Sequence, residues 1–595
     1  MKLRRSTIDQ EQRKQPVFKT HLIILPLFAS AIPLIAYLLT AYPDVGHTDS
    51  GELVAASWTL GIAHAPGFPS YVLLGWLWMH LFSAPSAAVM NAFSALMATL
   101  AGTGLFLSLF HFYRRSAPSQ WLAISLALLG AMLFWQSDLL WRWATTAEVY
   151  ALNSLLLAMI LWLLQIRQRY IWLWIGVLWG ISLHTHLVSA LFFFPLIAST
   201  FWKRKRKGQW QFVASEFRQF VLAAGVVYLA GAAFLFFRAQ ANPPINWGDP
   251  ATLERLWYHL TAKQYQVNLF QASFQRRLEL FKENLELLNG AVSFISLLLA
   301  IGGFIVLWQR HHRPWFYGIL LSITFGLLYS ASYDIAQDRD AYLLPVLLLI
   351  CFLAPVGLGQ LLEKWKAVAH KSLALLLVLP PLIAGILRFP ALDRSEIRIT
   401  PAFVQQSLAP IDSTALVLTG NWQLYSPFLY FHIVQQRYPH IIMIDLPLWQ
   451  NRAWYVEQIQ QRYPQLTRQW EPALSHFLRY LRQFERDELR STVEIERWYQ
   501  RLLDAMVNRT AMPVFLDLSA VRHLQKYHVF HHLPVPNQLL FQYRPIPSEN
   551  IPFQTDIPLP PSNVQLDPVE EEILQLYQAM QSIHETFLNP RPRTE

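Results

Sequence analysis

About eleven apolar runs separated by short loops constrain this chain more than any other feature. They fall at about 21–41, 91–112, 120–137, 148–166, 171–184, 187–202, 217–237, 289–308, 315–332, 341–361 and 371–388. A helix needs about 20 apolar residues to cross the ~30 Å hydrocarbon layer, and most of these runs reach or approach that length. Backbone polar groups in hydrocarbon must pair within their own segment, so the runs are expected to fold as helices. The predicted architecture is an all-α polytopic membrane domain over 21–388 with about 11 transmembrane helices. The pair at 171–202 is short, and His184-Thr185-His186 must form the turn between its halves. Phe68 to Phe82 is also apolar and uncharged, but it contains Pro69 and many aromatic residues. Counting it as a span would invert every later loop, so it reads as a re-entrant or interface-lying helix.

The balance of residues agrees, with 54% apolar and only 14% charged over 595 residues. The formal charge of +10 sits in alternate short loops and in the termini rather than on a nucleic-acid-binding face, so no nucleic-acid partner is expected. One side receives Arg114-Arg115, Arg167, Arg169, Lys203 to Lys207, Arg310, Arg313, Lys364, Lys366 and Lys371. Short basic loops mark the cytoplasm, which puts the N-terminus in and the C-terminus out, in a multi-pass plasma (inner) membrane protein. The basic leader at 1–20 (Lys2, Arg4, Arg5, Arg13, Lys14, Lys19) precedes the first run with no convincing cleavage site, as expected of an uncleaved anchor. The single cysteine, Cys351, excludes an intrachain disulfide and zinc sites needing two thiolates.

The outer side carries three larger pieces. Residues 42–90 form the first outer loop, and Ala41 to Met90 contains no Lys or Arg while concentrating Asp44, His47, Asp49, Glu52 and His64. Residues 238–288 form a polar loop followed by a helical pattern from Leu253 to about Leu288. Residues 389–544 read as an extracytoplasmic α/β domain, with β-rich runs at Ala415–Thr419, Ile441–Asp445, Pro513–Leu518 and Leu539–Tyr543. Residues 545–595 are a proline-rich linker and a last amphipathic helix near Glu570–Leu588.

An ionised carboxylate beside hydrocarbon is costly unless hydrated or paired, so the base-free loop suggests a site. Asp49 and Glu52 are three apart and would share one helical face. They equally fit a capping-box variant, with Asp49 as N-cap and Glu52 at the third helical position. His64 precedes the helix-breaking Ala65-Pro66-Gly67-Phe68-Pro69, as a turn residue or as a ligand or phosphate contact. Arg142, Glu148, Asp338 and Arg339 bring further charge to the same edge. An arginine there could bind a lipid phosphate, although Arg339 could equally pair within its own acidic loop. His184 and His186 could ligate a metal or merely sit at the interface, and Trp247 and Tyr265 could stack sugars or anchor the protein at the headgroups. No predicted span carries Lys, Arg, Asp or Glu near its middle, which argues against a transporter and for chemistry at the outer surface.

The run Asp49-Ser50-Gly51-Glu52-Leu53-Val54-Ala55-Ala56, followed by Leu60-Gly61-Ile62-Ala63-His64-Ala65-Pro66-Gly67-Phe68-Pro69-Ser70-Tyr71-Val72-Leu73-Leu74-Gly75, resembles the signature of a family of protein O-mannosyltransferase-like membrane proteins. Glu148-Val149-Tyr150-Ala151-Leu152-Asn153, Gly180-Ile181-Ser182-Leu183 with His186, and Asn246-Trp247-Gly248-Asp249-Pro250 resemble further parts of it. Good matches cover about 42–190, with thinner ones to about 345; Ala65 departs from a pattern that usually has a second proline there. That family is similar to the GT-C glycosyltransferases. The resemblance implies a GT-C-like fold, a polyprenyl-phosphate-linked sugar donor, and transfer on the extracytoplasmic face to a hydroxyl on protein, glycan or lipid. It also implies an acid in the first outer loop as catalytic base, which falls on Asp49, with Glu52 beside it and His64 in the same motif. His64, Arg142, Glu148, His186, Asp338, Arg339, Trp247 and Tyr265 are the expected substrate contacts. No cofactor is required, though a divalent metal, Mg or Mn, between Asp49, Glu52 and the phosphate is compatible. The competing expectation is a lipid-carrier flippase, which would need a polar path across the bilayer.

Overall fold

Among the described residues the apolar runs are mainly helical in the computed structural model, which describes residues 21–114, 117, 119–205, 209–269, 271–309, 312–334, 337–362, 376–489, 491–546 and 551–588. The leader at 1–20 and Arg115, Arg206, Lys207, Arg310, Lys364, Lys366 and Lys371 lie outside the described residues.

In chain order the first helices are α1 (His21–Thr40), α2 (Ser50–Thr59), α3 (Pro69–Leu81), α4 (Ala87–Tyr113), α5 (Gln120–Trp135), α6 (Asp138–Ala144), α7 (Val149–Leu163), α8 (Ile171–Thr185) and α9 (Leu187–Ser199). A short hairpin of β1 (Trp202–Arg204) and β2 (Trp210–Phe212) leads to α10 (Ala214–Gln240). Then come α11 (Leu253–Leu260), α12 (Phe274–Val292), α13 (Phe294–Gln309), α14 (Arg313–Ser332), α15 (Leu344–Leu362) and α16 (Leu379–Leu392). Ala87–Tyr113, Ala214–Gln240, Arg313–Ser332 and Arg339–Leu362 are long and apolar enough to cross a membrane. The pairs α5–α6, bent by 64°, and α12–α13, bent by 99°, raise the number from 4 to 6 if each is one span. The other predicted spans are shorter apolar helices of 10–17 residues, so length alone does not make them crossings. Helix α3 has 13 residues, about 20 Å at 1.5 Å per residue, and is too short to cross.

Breaks in the helices follow local chemistry. Ser137 Oγ accepts from Leu140 N and starts α6. Leu60 takes the left-handed conformation (φ 48°) at the end of α2, and Gly61 N then bonds Ala56 O. The helix expected from Leu253 to Leu288 is interrupted. It becomes α11, a 3-10 turn at Lys263–Asn268, and α12.

The C-terminal part holds a five-stranded sheet in the order β4-β3-β5-β7-β6. β3 (Ala415–Thr419), β4 (Ile441–Asp445) and β5 (Val514–Leu516) are parallel; β6 (Val535–Asn537) and β7 (Leu540–Arg544) run antiparallel. Every residue of β3, β4 and β5 is buried, which explains why they are apolar except for Thr419 and Asp445 at the carboxyl ends of β3 and β4. Helix α17 (Ile399–Leu408) precedes β3, and α18 (Trp422–Leu429) follows it and continues as a π-helical turn, Tyr430–Val434. The last helix, Pro568–Leu588, lies on α17, where Tyr577 Oη donates to Gln406 Oε1 at 2.8 Å. One cluster of buried apolar residues runs from the helical bundle into the sheet, so the C-terminal α/β unit is seated on the bundle and not tethered to it.

Candidate active site

Asp49 stands at the N-cap position of α2, yet its side chain makes no capping bond. Its backbone is already α-like (φ −89°, ψ −2°), whereas capping by a side chain goes with an extended residue. The capping-box geometry is therefore absent. Asp49 Oδ1 instead accepts from the indole Nε1 of Trp422, 2.8 Å away and 373 positions later in the chain. Its other oxygen, Oδ2, lies 3.6 Å from His64 Nε2, and the side chain is 26% exposed.

Glu52 shares that helical face but not that environment. It is fully buried; Oε1 accepts from His64 N at 2.6 Å, and Oε2 meets His64 Nδ1 at 2.7 Å. Burial pushes the Glu52 carboxyl up, with His64 pulling the other way. Burial alone would lower the His64 imidazole, but the charges of Glu52 and Asp49 outweigh it and hold the group at about 10. His64 is thus an imidazolium between two carboxylates. Gly67 makes the turn beyond it at φ +94°, and a Cβ there would fall 2.7 Å from His259 Nε2. Burial, reinforced by the charge of His64, holds His259 neutral, at about 3.

Two more predicted acids belong to the same electrostatic unit. Glu148, the residue before α7, is buried and accepts from Thr48 Oγ1 at 3.1 Å. Burial and then the charges of Asp49 and Asp338 push its carboxyl up. Asp338 accepts from Tyr150 Oη; burial lifts it to about 6, against that hydrogen bond and with the Asp49 charge. His186, between α8 and α9, packs its ring on Tyr150 and Tyr342. Its Nδ1 accepts from Ser189 N, and burial with the His64 charge lowers it to about 3. His184 lies apart from the site, its Nε2 on Tyr228 O at 2.8 Å.

The two arginines are engaged elsewhere. Arg142 pairs with Asp340 at 2.7 Å and with Asp567, just ahead of the last helix. Arg339 pairs with Glu283 on α12, and its Nη1 donates to Asn284 Oδ1 at 2.9 Å and to Leu280 O at 3.3 Å. Trp247 and Tyr265 stand beside His64, with ring centroids 6.1 and 6.2 Å away. Trp247 is 7% exposed and packs on Trp422 and Trp454, which does not suit a headgroup anchor.

The residues that sequence reading missed come from far along the chain. Besides Trp422, Gln423 Oε1 accepts from Thr48 N at 2.8 Å, and Ser426 Oγ accepts from Glu52 N at 3.1 Å. Gly51 allows this docking, because a Cβ there would lie 2.3 Å from Ser426 O. A signal for Trp422 was present only in its setting, the first turn after a buried parallel strand. Ligand atoms of Asp49, Glu52 and His64 lie within 4.8 Å of one another, a set with the donor types to hold a divalent ion.

Residues 49–209 match the family model described as the N-terminal domain of the protein O-mannosyl-transferase TMEM260. The protein O-mannosyl-transferase tmem260 of Dictyostelium discoideum is 24% identical over 362 residues, covering 54% of this chain and 43% of that protein. The TMEM260 protein of Mus musculus is 24% identical over 475 residues, covering 74% of this chain and 64% of that protein. Similarity to the TMEM260 proteins is therefore strongest over that N-terminal segment. This chain spans less than two thirds of the length of either relative. The segment matched by the TMEM260 N-terminal domain contains Asp49, Glu52, His64, Arg142, Glu148 and His186, whereas Trp247, Tyr265, Asp338, Arg339 and Trp422 lie beyond it. Among solved structures, the chain is similar to ArnT from Cupriavidus metallidurans in the apo state (TM-score 0.48, 11% identity, 88% of this chain and 98% of that one). It is also similar to the oligosaccharyltransferase AglB from Archaeoglobus fulgidus in complex with an inhibitory peptide and a dolichol-phosphate (TM-score 0.46, 11% identity, 84% and 70%). Likeness at that level assigns no residue role.

Proposed function

We propose that this chain is an inverting membrane glycosyltransferase that moves a sugar from a polyprenyl-phosphate carrier to a hydroxyl acceptor on the extracytoplasmic face. The names of its relatives make mannose the sugar, and a protein Ser or Thr hydroxyl the acceptor, to test first. One observation carries the reading. Of the two acids on α2, Glu52 is buried and paired, whereas Asp49 keeps one oxygen held by Trp422 and the other 3.6 Å from an imidazolium, on a part-exposed side chain. An acid so placed can accept a proton within hydrogen-bond reach.

In the proposed step Asp49 takes the proton of the acceptor hydroxyl. The acceptor oxygen bonds the anomeric carbon from the face opposite the leaving group. The bond from that carbon to the phosphate oxygen breaks, and the polyprenyl phosphate leaves as an anion. The imidazolium of His64, fixed by Glu52, places positive charge beside Asp49 and is the nearest candidate to stabilise that anion. Arg339 could do so only by releasing Glu283, and Arg142 only by releasing Asp340 and Asp567. A divalent ion, if used, would be held by Asp49 and by Nε2 of a deprotonated His64, with Glu52 orienting the ring through Nδ1. Such an ion would polarise a phosphate oxygen, and a histidine ligand suits Mn better than Mg.

The test is transfer from polyprenyl-phosphate mannose to a Ser/Thr peptide by the purified chain. Wild-type protein is expected to consume the donor, and Asp49→Asn to insert normally while losing transfer. Full activity in Asp49→Asn would remove Asp49 from the mechanism; carrier movement without sugar transfer would favour a flippase.

A further inference from the structure

The matched signature lies in the first outer loop, but the hydrogen bond that orients Asp49 comes from 373 positions further along the chain. Among the described residues, Trp422 Nε1–H is the hydrogen-bond donor to the Asp49 side chain, at 2.8 Å. A carboxylate at a helix start ordinarily finds donors in the first-turn amides, and Asp49 uses none of them. Rotation about the last bond of an aspartate is broad, so without a fixed donor its oxygens are poorly placed.

Trp422 is itself held on two sides. On one, the turn that carries it is braced from the neighbouring strand. Gly420 N donates to Asp517 Oδ2 at 3.2 Å, Thr419 Oγ1 donates to the same oxygen, and Asn421 Oδ1 accepts from Gln423 N at 2.9 Å. On the other, its ring meets Trp247 edge-on, with centroids 5.6 Å apart, and Tyr425 at 5.8 Å. The donor is therefore fixed by the carboxyl ends of β3 and β5, where open α/β sheets present their functional loops. Gln423 and Ser426 anchor the same helix to Thr48 and Glu52, so the outer unit grips the site at three points.

We propose that Trp422 is a positioning residue of the transferase centre: its indole N–H, delivered by the outer α/β unit, fixes the Asp49 carboxylate so that the second oxygen faces the reacting hydroxyl. The outer unit is then part of the catalytic machinery rather than an appended binding module. The inference rests on Asp49 being the base.

The test uses the full chain in detergent or nanodiscs, with polyprenyl-phosphate mannose and a Ser/Thr peptide. Trp422→Phe keeps a ring against Trp247 and Tyr425 and removes the donor. Its kcat is expected to fall about 10- to 100-fold, the scale of a misplaced catalytic group, with KM for both substrates and thermal midpoint little changed. Benzothienylalanine at position 422 replaces N–H by sulfur in a ring of the same shape and should give the same loss, which guards against a folding failure of the Phe variant. Trp454→Phe removes an indole from the same aromatic cluster without touching Asp49 and should retain activity within about twofold. Wild-type kcat in Trp422→Phe alongside an inactive Asp49→Asn would overturn the positioning role and leave the base in place. An active Asp49→Asn would overturn both. Equal losses in Trp454→Phe and Trp422→Phe, or full activity in the benzothienyl protein, would reduce Trp422 to packing.

Discussion

Two groups of acids look alike in composition and differ in how they are paired. Around Arg142, Asp340 and Asp567 close on the guanidinium, and His47 Nε2 lies 3.5 Å behind Asp567. Tyr42 Oη donates to Glu570 nearby, so this cluster ties the loop before α2 to the start of the last helix. Burial resists ionisation of Asp567, but His47 and Arg142 overcome it and hold the carboxyl below its ordinary value. Around Asp49, by contrast, Glu52, Glu148 and Asp338 share a single imidazolium, and Asp338 is pushed up to about 6. The first cluster closes both of its acids on a guanidinium; the second leaves the Asp49 side chain part-exposed beside a histidine that Glu52 already holds.

That contrast is broken most directly by removing one group from each side. Asp49→Asn should cut transfer by about 10²- to 10⁴-fold, the range for a lost general base, with the thermal midpoint unchanged. Arg142→Met should do the reverse. It strands Asp340 and Asp567 and costs about 2–4 kcal/mol of stability, less than a fully buried pair because the arginine is 22% exposed. Urea or thermal melts against kcat of the surviving protein separate the two; loss of kcat without loss of stability in Arg142→Met would merge the clusters into one site.

Smaller effects sharpen the picture. His64 is raised above the ordinary histidine value, so the stability it adds is complete below about 6.5 and is lost as pH rises through about 10. Glu52→Gln removes its main partner, and both that loss and the high-pH fall of activity should move toward neutrality, with about a tenfold deficit at pH 8. Parallel pH–rate profiles that coincide would disconnect His64 from turnover. Tyr150→Phe deletes the donor that holds Asp338 down, so this carboxyl should rise further above about 6. Activity should fall about two- to fivefold at pH 7 and less at pH 8; an unchanged profile would place Asp338 outside the site.

Local patterns were enough for the helices, because a long apolar run has one way to satisfy its backbone in lipid. Two strands were equally readable, since Ala415–Thr419 and Ile441–Asp445 occur with those same bounds, whereas the run over Pro513–Leu518 shortens to Val514–Leu516 and Val535–Asn537 was not foreseen. The acids of the first loop stood out because no base lay near them in sequence. Partner choice was not readable in the same way. Asp49 and Glu52 have the spacing of a capping box, and nothing in the spacing says that Glu52 turns to His64 and Asp49 to Trp422. Arg339 stands in an acidic loop and pairs with Glu283 on a helix packed beside it.

The sequence by itself determined that the long apolar runs are helical, where two of the strands lie, and that acids with no neighbouring base gather between Ala41 and Met90, since hydrogen-bond satisfaction acts over a few residues at a time. Only the tertiary structure decided which carboxylate is closed by a histidine, which is left open, and which tryptophan reaches it from 373 positions away. A side chain's ionisation and aim depend on groups within a few ångströms, and chain order says little about which groups those are.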